Sequence, residues 1–284
     1  MPLTFDPVLA FLWSVLAGFM MAMGAGGGGI LAGVGHMLVL GITDVNMIKV
    51  VNQILEFTSR VVALPLYQRQ RRLVGSLALC FGLGAPLGAI AGSWLSASHL
   101  ADMASYRPLF GVLIVMVALR TLYEGWRAPS VTVPATEQCV PRTVSFDWAS
   151  VRVELAGRTI EFSPVLAATG GFVVSFIGSM MGVAGGFLAT PFMASVLLFP
   201  LYLVVGTSLL ALVLPLIVSV LTYLALEVRV DWWLVAVEVP GIALGSVLAP
   251  LLNRRMNERT LKTFVAIILL ALGVHYALAW VYAR

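Results

Sequence analysis

Residues 23–31 read MGAGGGGIL, and residues 180–188 read MMGVAGGFL. Both stretches interrupt apolar runs. Gly26, Gly27, Gly28 and Gly29 are consecutive, and each glycine adds roughly 1 kcal/mol of helix penalty relative to alanine. A helix arriving from the N-terminal side breaks there. In hydrocarbon, the freed N–H and C=O groups are tolerated only where they are buried in protein or line a polar cavity. A helix broken twice, at matching places in two halves of a chain, points to the binding site of a transporter.

The halves match at a constant offset of 157 residues: FDPVLA at 5–10 becomes FSPVLA at 162–167. In the same register Phe19 meets Phe176, Met23 meets Met180, Gly28 and Gly29 meet Gly185 and Gly186, and the GxxxG pair Gly84–Gly88 meets Gly241–Gly245. No gap is needed over about 90 residues, which indicates a duplicated and fused unit. Asp6 before Pro7 and Ser163 before Pro164 place an N-cap residue ahead of a proline at the first helical position. From these caps, helices are predicted to about residues 22 and 180, followed by short apolar pieces at 30–41 and 187–199. Three longer helices then complete each repeat, at 45–67, 73–95 and 107–126, and at 201–225, 231–252 and 259–282. The predicted fold is an all-α polytopic membrane protein. It comprises a first transmembrane repeat (1–126), a cytoplasmic linker (127–163) and a second transmembrane repeat (164–284).

Composition agrees: 60% of the 284 residues are hydrophobic and 11% charged, against about 25% charged in soluble domains. Mean hydropathy is +1.00. The net charge of +4 comes from basic residues in loops between apolar spans, where they set orientation. Nucleic-acid binding is set aside on that ground. Cys80 and Cys139 form neither a disulfide framework nor a metal spacing, and no cofactor is expected. The N-terminus has no basic region or cleavage site, so its first apolar segment is expected to stay. In the linker, VRVELAGRTIEF alternates apolar and polar residues about Ala156 and Gly157 and is predicted to form a β-hairpin.

Charge placement bears on topology. If each broken helix and its partner return to the side they came from, Arg69, Arg71, Arg72, Arg127, Arg142, Arg152, Arg158, Arg254, Arg255, Arg259 and Lys262 share one face, against Arg107, Arg229 and Arg284 on the other. If each broken unit crosses once, the split falls to nine against five. The positive-inside rule favours the first arrangement, in which the repeats are inverted and the two breaks approach from opposite sides. Parallel repeats stay open.

The candidate binding groups are the backbone N–H groups of Gly26, Gly27, Gly28, Gly29, Gly185 and Gly186, because a helix N-terminus attracts an anion. Close helix packing is the bland alternative for such glycines, and it is preferred for the two GxxxG pairs. Lys49, Gln53, Glu56 and Arg60 fall at i, i+4, i+7 and i+11 and form one polar stripe on the helix over 45–67. Charges inside a membrane face a cavity or a partner; Glu56 and Arg60 are also spaced to neutralise each other. The second repeat has Gly206, Leu210, Val213 and Ile217 in those places, so the stripe exists once. Asn52, Thr207 and Ser208 are candidate donors to substrate, and Lys49 a candidate source of attraction. Glu56, Glu238 and His36 are candidate proton carriers.

The stretches GAGGGGILAGVGHMLVLG and GVAGGFLATPFMASVLLFP, with VVGTSLL after the second, resemble the paired glycine-rich motif of the TauE/SafE family of sulfite exporters. The resemblance covers both repeats and spares the linker. Val34 stands where the second copy has Pro191, and Val50, Val51 and Asn52 stand about where the Thr207–Ser208 pair falls, so the two halves of the site are expected to differ. The resemblance implies a multi-pass protein of the bacterial inner membrane that moves sulfite, thiosulfate, sulfoacetate or a related anion. The function expected is secondary transport of such an anion, with proton coupling open, a passive channel or uniporter as the alternative, and a homodimer compatible. An enzyme is disfavoured, since the three histidines are scattered and neither HExxH nor GxSxG occurs.

Overall fold

The structure is a computed structural model that describes residues 5–23, 27–127, 140–155 and 157–252, with part of 266–276. Gly26, Cys139 and most of the predicted last helix lie outside the described residues. The helices are α1 (Pro7–Ala22), α2 (Gly28–Val34), α3 (Val45–Arg69), α4 (Gly75–His99), α5 (Met103–Arg127), α6 (Pro164–Met181), α7 (Gly186–Pro191), α8 (Leu201–Ala211), α9 (Val213–Ala225) and α10 (Trp232–Leu252). Strands β1 (Arg142–Phe146), β2 (Val151–Leu155) and β3 (Arg158–Phe162) stand between α5 and α6. Among the described residues, five segments are long and apolar enough to cross a bilayer: α4, most of α5, α6, α8 with α9, and most of α10. On α4, Leu79, Leu83, Leu87, Ile90 and Trp94 are exposed along one side, as a lipid-facing stripe requires. The polar stripe leaves α3 out of that set. Its 25 residues nevertheless reach about 37 Å, enough to span.

Both repeats start as their caps dictate. The Asp6 carboxylate accepts from the N–H groups of Val8 and Leu9, and the Ser163 hydroxyl accepts from Leu166 N–H. After each glycine break the helix resumes and widens into one π-helical turn, at Gly35–Val39 and at Phe192–Val196, again 157 residues apart. The closing bonds repeat too: Leu40 N–H to Gly35 O and Ile42 N–H to His36 O in one copy, Leu197 N–H to Phe192 O and Phe199 N–H to Met193 O in the other. In each copy the short helix folds back along the first. Gly35 packs on the Trp13 ring, and Gly170 on the Phe192 ring. Trp13 and Gly170 are equivalent positions, as are Gly35 and Phe192, so the same gap is filled by a ring from opposite partners.

The second repeat departs from the expected continuous helix at Leu212, between α8 and α9. Pro215 has no N–H to give to Ala211 four residues earlier, so the ladder opens there. The linker also holds more than the expected hairpin. β2 and β3 pair about a two-residue turn, and β1 adds antiparallel to β2 as a third strand. Val151, Val153, Leu155 and Phe162 pack into one core with Leu77, Phe81 and Phe199, which gives the sheet the support that an isolated hairpin lacks.

The repeats interlock. Among the described residues, extensive contacts join α4 to α6 and α1 to α10, so each half's first helix packs on the other half's long helix. Added Cβ atoms at Gly84, Gly88 and Gly92 would strike the carbonyls of Ala168, Phe172 and Phe176. Those at Gly241 and Gly245 would strike the carbonyls of Phe11 and Val15. The pairs ascend together, so α4 runs parallel to α6 and α10 to α1. The GxxxG glycines serve close packing, as expected.

Candidate functional site

A helix that ends buried inside a protein leaves four carbonyls without helical partners. At the end of α6 all four are met by side chains. Ser179 O accepts from Tyr223 Oη (3.0 Å) and Gln53 Nε2 (3.4 Å). Met180 O accepts from Ser96 Oγ (2.6 Å), Met181 O from Tyr106 Oη (2.8 Å), and Gly182 O from Asn52 Nδ2 (2.6 Å). Gly182, at φ 69°, ends the helix in a left-handed cap, and Gly185, at φ 73°, precedes α7. In the first repeat, Ala22 O accepts from Tyr67 Oη and Leu31 O from Trp13 Nε1. Asn52 Nδ2 also donates to Gly29 O at 2.9 Å, so one amide on α3 ties the two breaks together.

Between the breaks lies a small, partly open cavity lined by Met21, Gly28, Gly29, Glu56, Arg60, Gly186, Phe187, Thr190, Ser208 and Leu209. Helices α1, α2, α3, α7 and α8 all contribute. Glu56 and Arg60, both buried, form an i,i+4 pair at 2.8 Å between Oε2 and Nη1. The other carboxylate oxygen, Oε1, accepts from Ala184 N–H at 2.8 Å and is the atom that a Cβ on Gly29 would strike. Arg60 Nε is buried without a partner among the described residues, and Nη2 faces Gly186. A guanidinium with an uncommitted donor, beside the Thr190 hydroxyl and the Ser208 hydroxyl that donates to Val205 O, suits a small oxyanion.

The sequence-predicted residues separate into two groups. Gly28, Gly29, Gly186, Ser208 and Glu56 line the cavity; Gly27 and Gly185 immediately precede α2 and α7, and Asn52 joins the breaks. Lys49 and Thr207 do not line it. Lys49 Nζ bonds Ser96 Oγ (2.6 Å), Leu100 O (2.6 Å) and Asn46 Oδ1 (3.3 Å) and lies over the Tyr106 ring. Through Ser96 its charge stands at the carbonyl end of α6, where the helix dipole favours a cation. Thr207 Oγ1 accepts from Val74 N–H and donates to Leu203 O, fixing the start of α4. His36 and Glu238 meet each other away from the cavity, with His36 Nε2 at 2.9 and 3.1 Å from the two carboxylate oxygens.

Two groups of the cavity were missed by the sequence reading. Thr190 carried no motif signal. Arg60 had a signal in its place on the polar stripe, but its pairing with Glu56 made it look self-neutralised.

The chain matches the family model "Sulfite exporter TauE/SafE" over residues 10–276. It is also similar to the Probable membrane transporter protein YunE of Bacillus subtilis (strain 168), with 25% identity over 197 residues, covering 69% of this chain and 67% of the relative. No solved structure matches it. With interlocked repeats, apolar spans and a family match over nearly its whole length, the chain belongs to the TauE/SafE sulfite exporter family of membrane transporters.

Proposed function

We propose that the protein is a secondary transporter for a small sulfur-containing anion (sulfite, thiosulfate or an organosulfonate such as sulfoacetate) across the bacterial inner membrane, with a proton as the coupling ion. The observation that carries this reading is the cavity between Gly28–Gly29 and Gly186, with Arg60 as the cation on its wall. Arg60 supplies charge and directional N–H donors, Ser208 and Thr190 supply hydroxyls, and Asn52 fixes the spacing of the two breaks. Glu56 holds the coupled proton. Inverted repeats are supported by the return of each short helix along its predecessor. With no net crossing in the broken unit, α3, α4 and α5 make three crossings and α6 enters from the opposite side. Alternating access then amounts to rocking of one interlocked body against the other about the cavity.

The test is uptake of labelled sulfite by proteoliposomes holding the purified protein, with and without an imposed pH gradient, and with thiosulfate and sulfoacetate as competitors. The reading expects accumulation above equilibrium that follows the gradient and is inhibited by the competitors. Flux that only equilibrates would replace it with a channel or uniporter.

A further inference from the structure

We propose that the Glu56 carboxylate is a tethered occupant of the anion site, and that the transported anion displaces it as Glu56 takes up one proton. The inference rests on the transport reading above and identifies what holds the site in the absence of substrate. A carboxylate and a small oxyanion ask for the same partners, and Glu56 already has them. One oxygen is on the Arg60 guanidinium and the other on the Ala184 N–H beside the second break, while the carboxylate lies against Gly29 of the first break. Glu56 therefore touches both glycine stretches and the cation at once, from within the cavity.

Charge balance dictates the exchange. Among the described cavity-lining residues Arg60 is the one cation, and the Glu56 carboxylate already occupies it, so an anion of one charge or two arrives against a like charge. Of the titratable side chains on the neighbouring helices, Arg120 on α5 donates to Phe187 O at the second break, and the others are engaged elsewhere. Tyr223 on α9 bonds Ser179 O, Glu238 on α10 pairs with His36, and Lys49 on α3 itself serves the end of α6. The described residues of α1, α2 and α7 bring no Asp, Glu, Lys or Arg to Glu56. An anion arriving at Arg60 thus meets one uncompensated carboxylate, and a proton on that carboxylate removes the conflict. The step is COO⁻ plus H⁺ giving COOH, with no covalent bond to the anion. Arg60 Nε, without a partner among the described residues, is the donor held in reserve for the newcomer. Departure of the anion and of the proton returns Glu56 to Arg60 and Ala184, so proton and anion move together.

The experiment is calorimetric binding of thiosulfate and of sulfoacetate to the purified full chain at mildly acidic and mildly alkaline pH, with proton uptake counted in weak buffer, for wild type and Glu56→Gln. Neither probe itself titrates in that range. Wild type should bind more weakly as pH rises and take up close to one proton per anion. Glu56→Gln keeps an acceptor for Ala184 N–H but not the charge. It should bind at least about tenfold more tightly at alkaline pH, with affinity independent of pH and no proton uptake. Equal pH dependence and equal proton uptake in the two proteins would overturn the proposal. Should the variant not fold, the wild-type proton count decides alone: near one supports tethered competition, and zero overturns it. Absence of binding by these and other small oxyanions to wild type would instead overturn the transport reading, and this inference with it.

Discussion

Asn52→Leu removes one amide that serves both repeats. Its Nδ2 donates to Gly182 O at 2.6 Å and to Gly29 O at 2.9 Å, and leucine fills nearly the same volume. Leu209 occupies the equivalent position in the second repeat, so a leucine suits the helix. Gly182 O lies past the end of α6, and stranding a buried carbonyl costs about 1–3 kcal/mol. Gly29 lies inside α2, and its loss is nearer the roughly 0.6 kcal/mol average for hydrogen bonds between membrane helices. Asn52 Oδ1 has no partner among the described residues, and removing it offsets about 1 kcal/mol. The net expectation is destabilisation by about 0.6–2.6 kcal/mol, or roughly 1–4 °C in unfolding midpoint for a chain of this size. Transport should fall further than stability, because the spacing of the two breaks is no longer fixed. Asn52→Asp should be worse than leucine, since it turns oxygens toward both carbonyls. The assay is thermal unfolding in detergent beside uptake in proteoliposomes. A leucine variant as stable and as active as wild type would refute the bridge.

Gly28→Leu and Gly185→Leu should each abolish uptake while leaving protein in the membrane, because one runs into Met21 and the other sits at a positive φ beside Val174; full uptake by both would remove the glycines from the site. Gly88→Leu should separate α4 from α6 and lower the unfolding midpoint sharply, whereas Gly82→Ala, whose added atom only reaches van der Waals distance of Ala211 O, should be silent; an equal effect of the two would contradict the parallel packing. Asp102, in the loop before α5, accepts from Ala104 N–H, from the Ser105 hydroxyl and from Ser105 N–H, which holds its carboxyl below the ordinary value. Its contribution is therefore present above the usual carboxylate range and is lost as pH falls through its depressed pKa, so Asp102→Asn should flatten part of the acid limb of the stability profile.

The duplication was legible because substitution has left the register free of gaps, and FxPVLA and the paired glycines are visible to direct comparison. The π-helical turns were not legible, because Gly35–Val39 and Phe192–Val196 share position but hardly any sequence. The exchange of Trp13 and Gly170 against Gly35 and Phe192 makes sense only once each short helix is known to fold back on its predecessor. Asn52 drew notice as a polar residue in an apolar helix. Its role as a bridge needed the position of Gly182, 130 residues away. Lys49 was taken for an anion ligand because nothing local reveals that the carbonyl end of α6 lies beside it. Arg60 was discounted for the opposite reason: a local partner at i−4 was evident, while the cavity that both side chains line is made by residues from both repeats.

The most direct measurement of the central claim is labelled-sulfite flux into proteoliposomes for wild type beside Arg60→Gln at equal protein incorporation. If an anion crosses through the cavity between the breaks, wild type transports and the variant loses at least about tenfold in initial rate, near 1.4 kcal/mol of anion stabilisation. Wild-type flux in Arg60→Gln, with the protein folded and inserted, would place the anion path elsewhere.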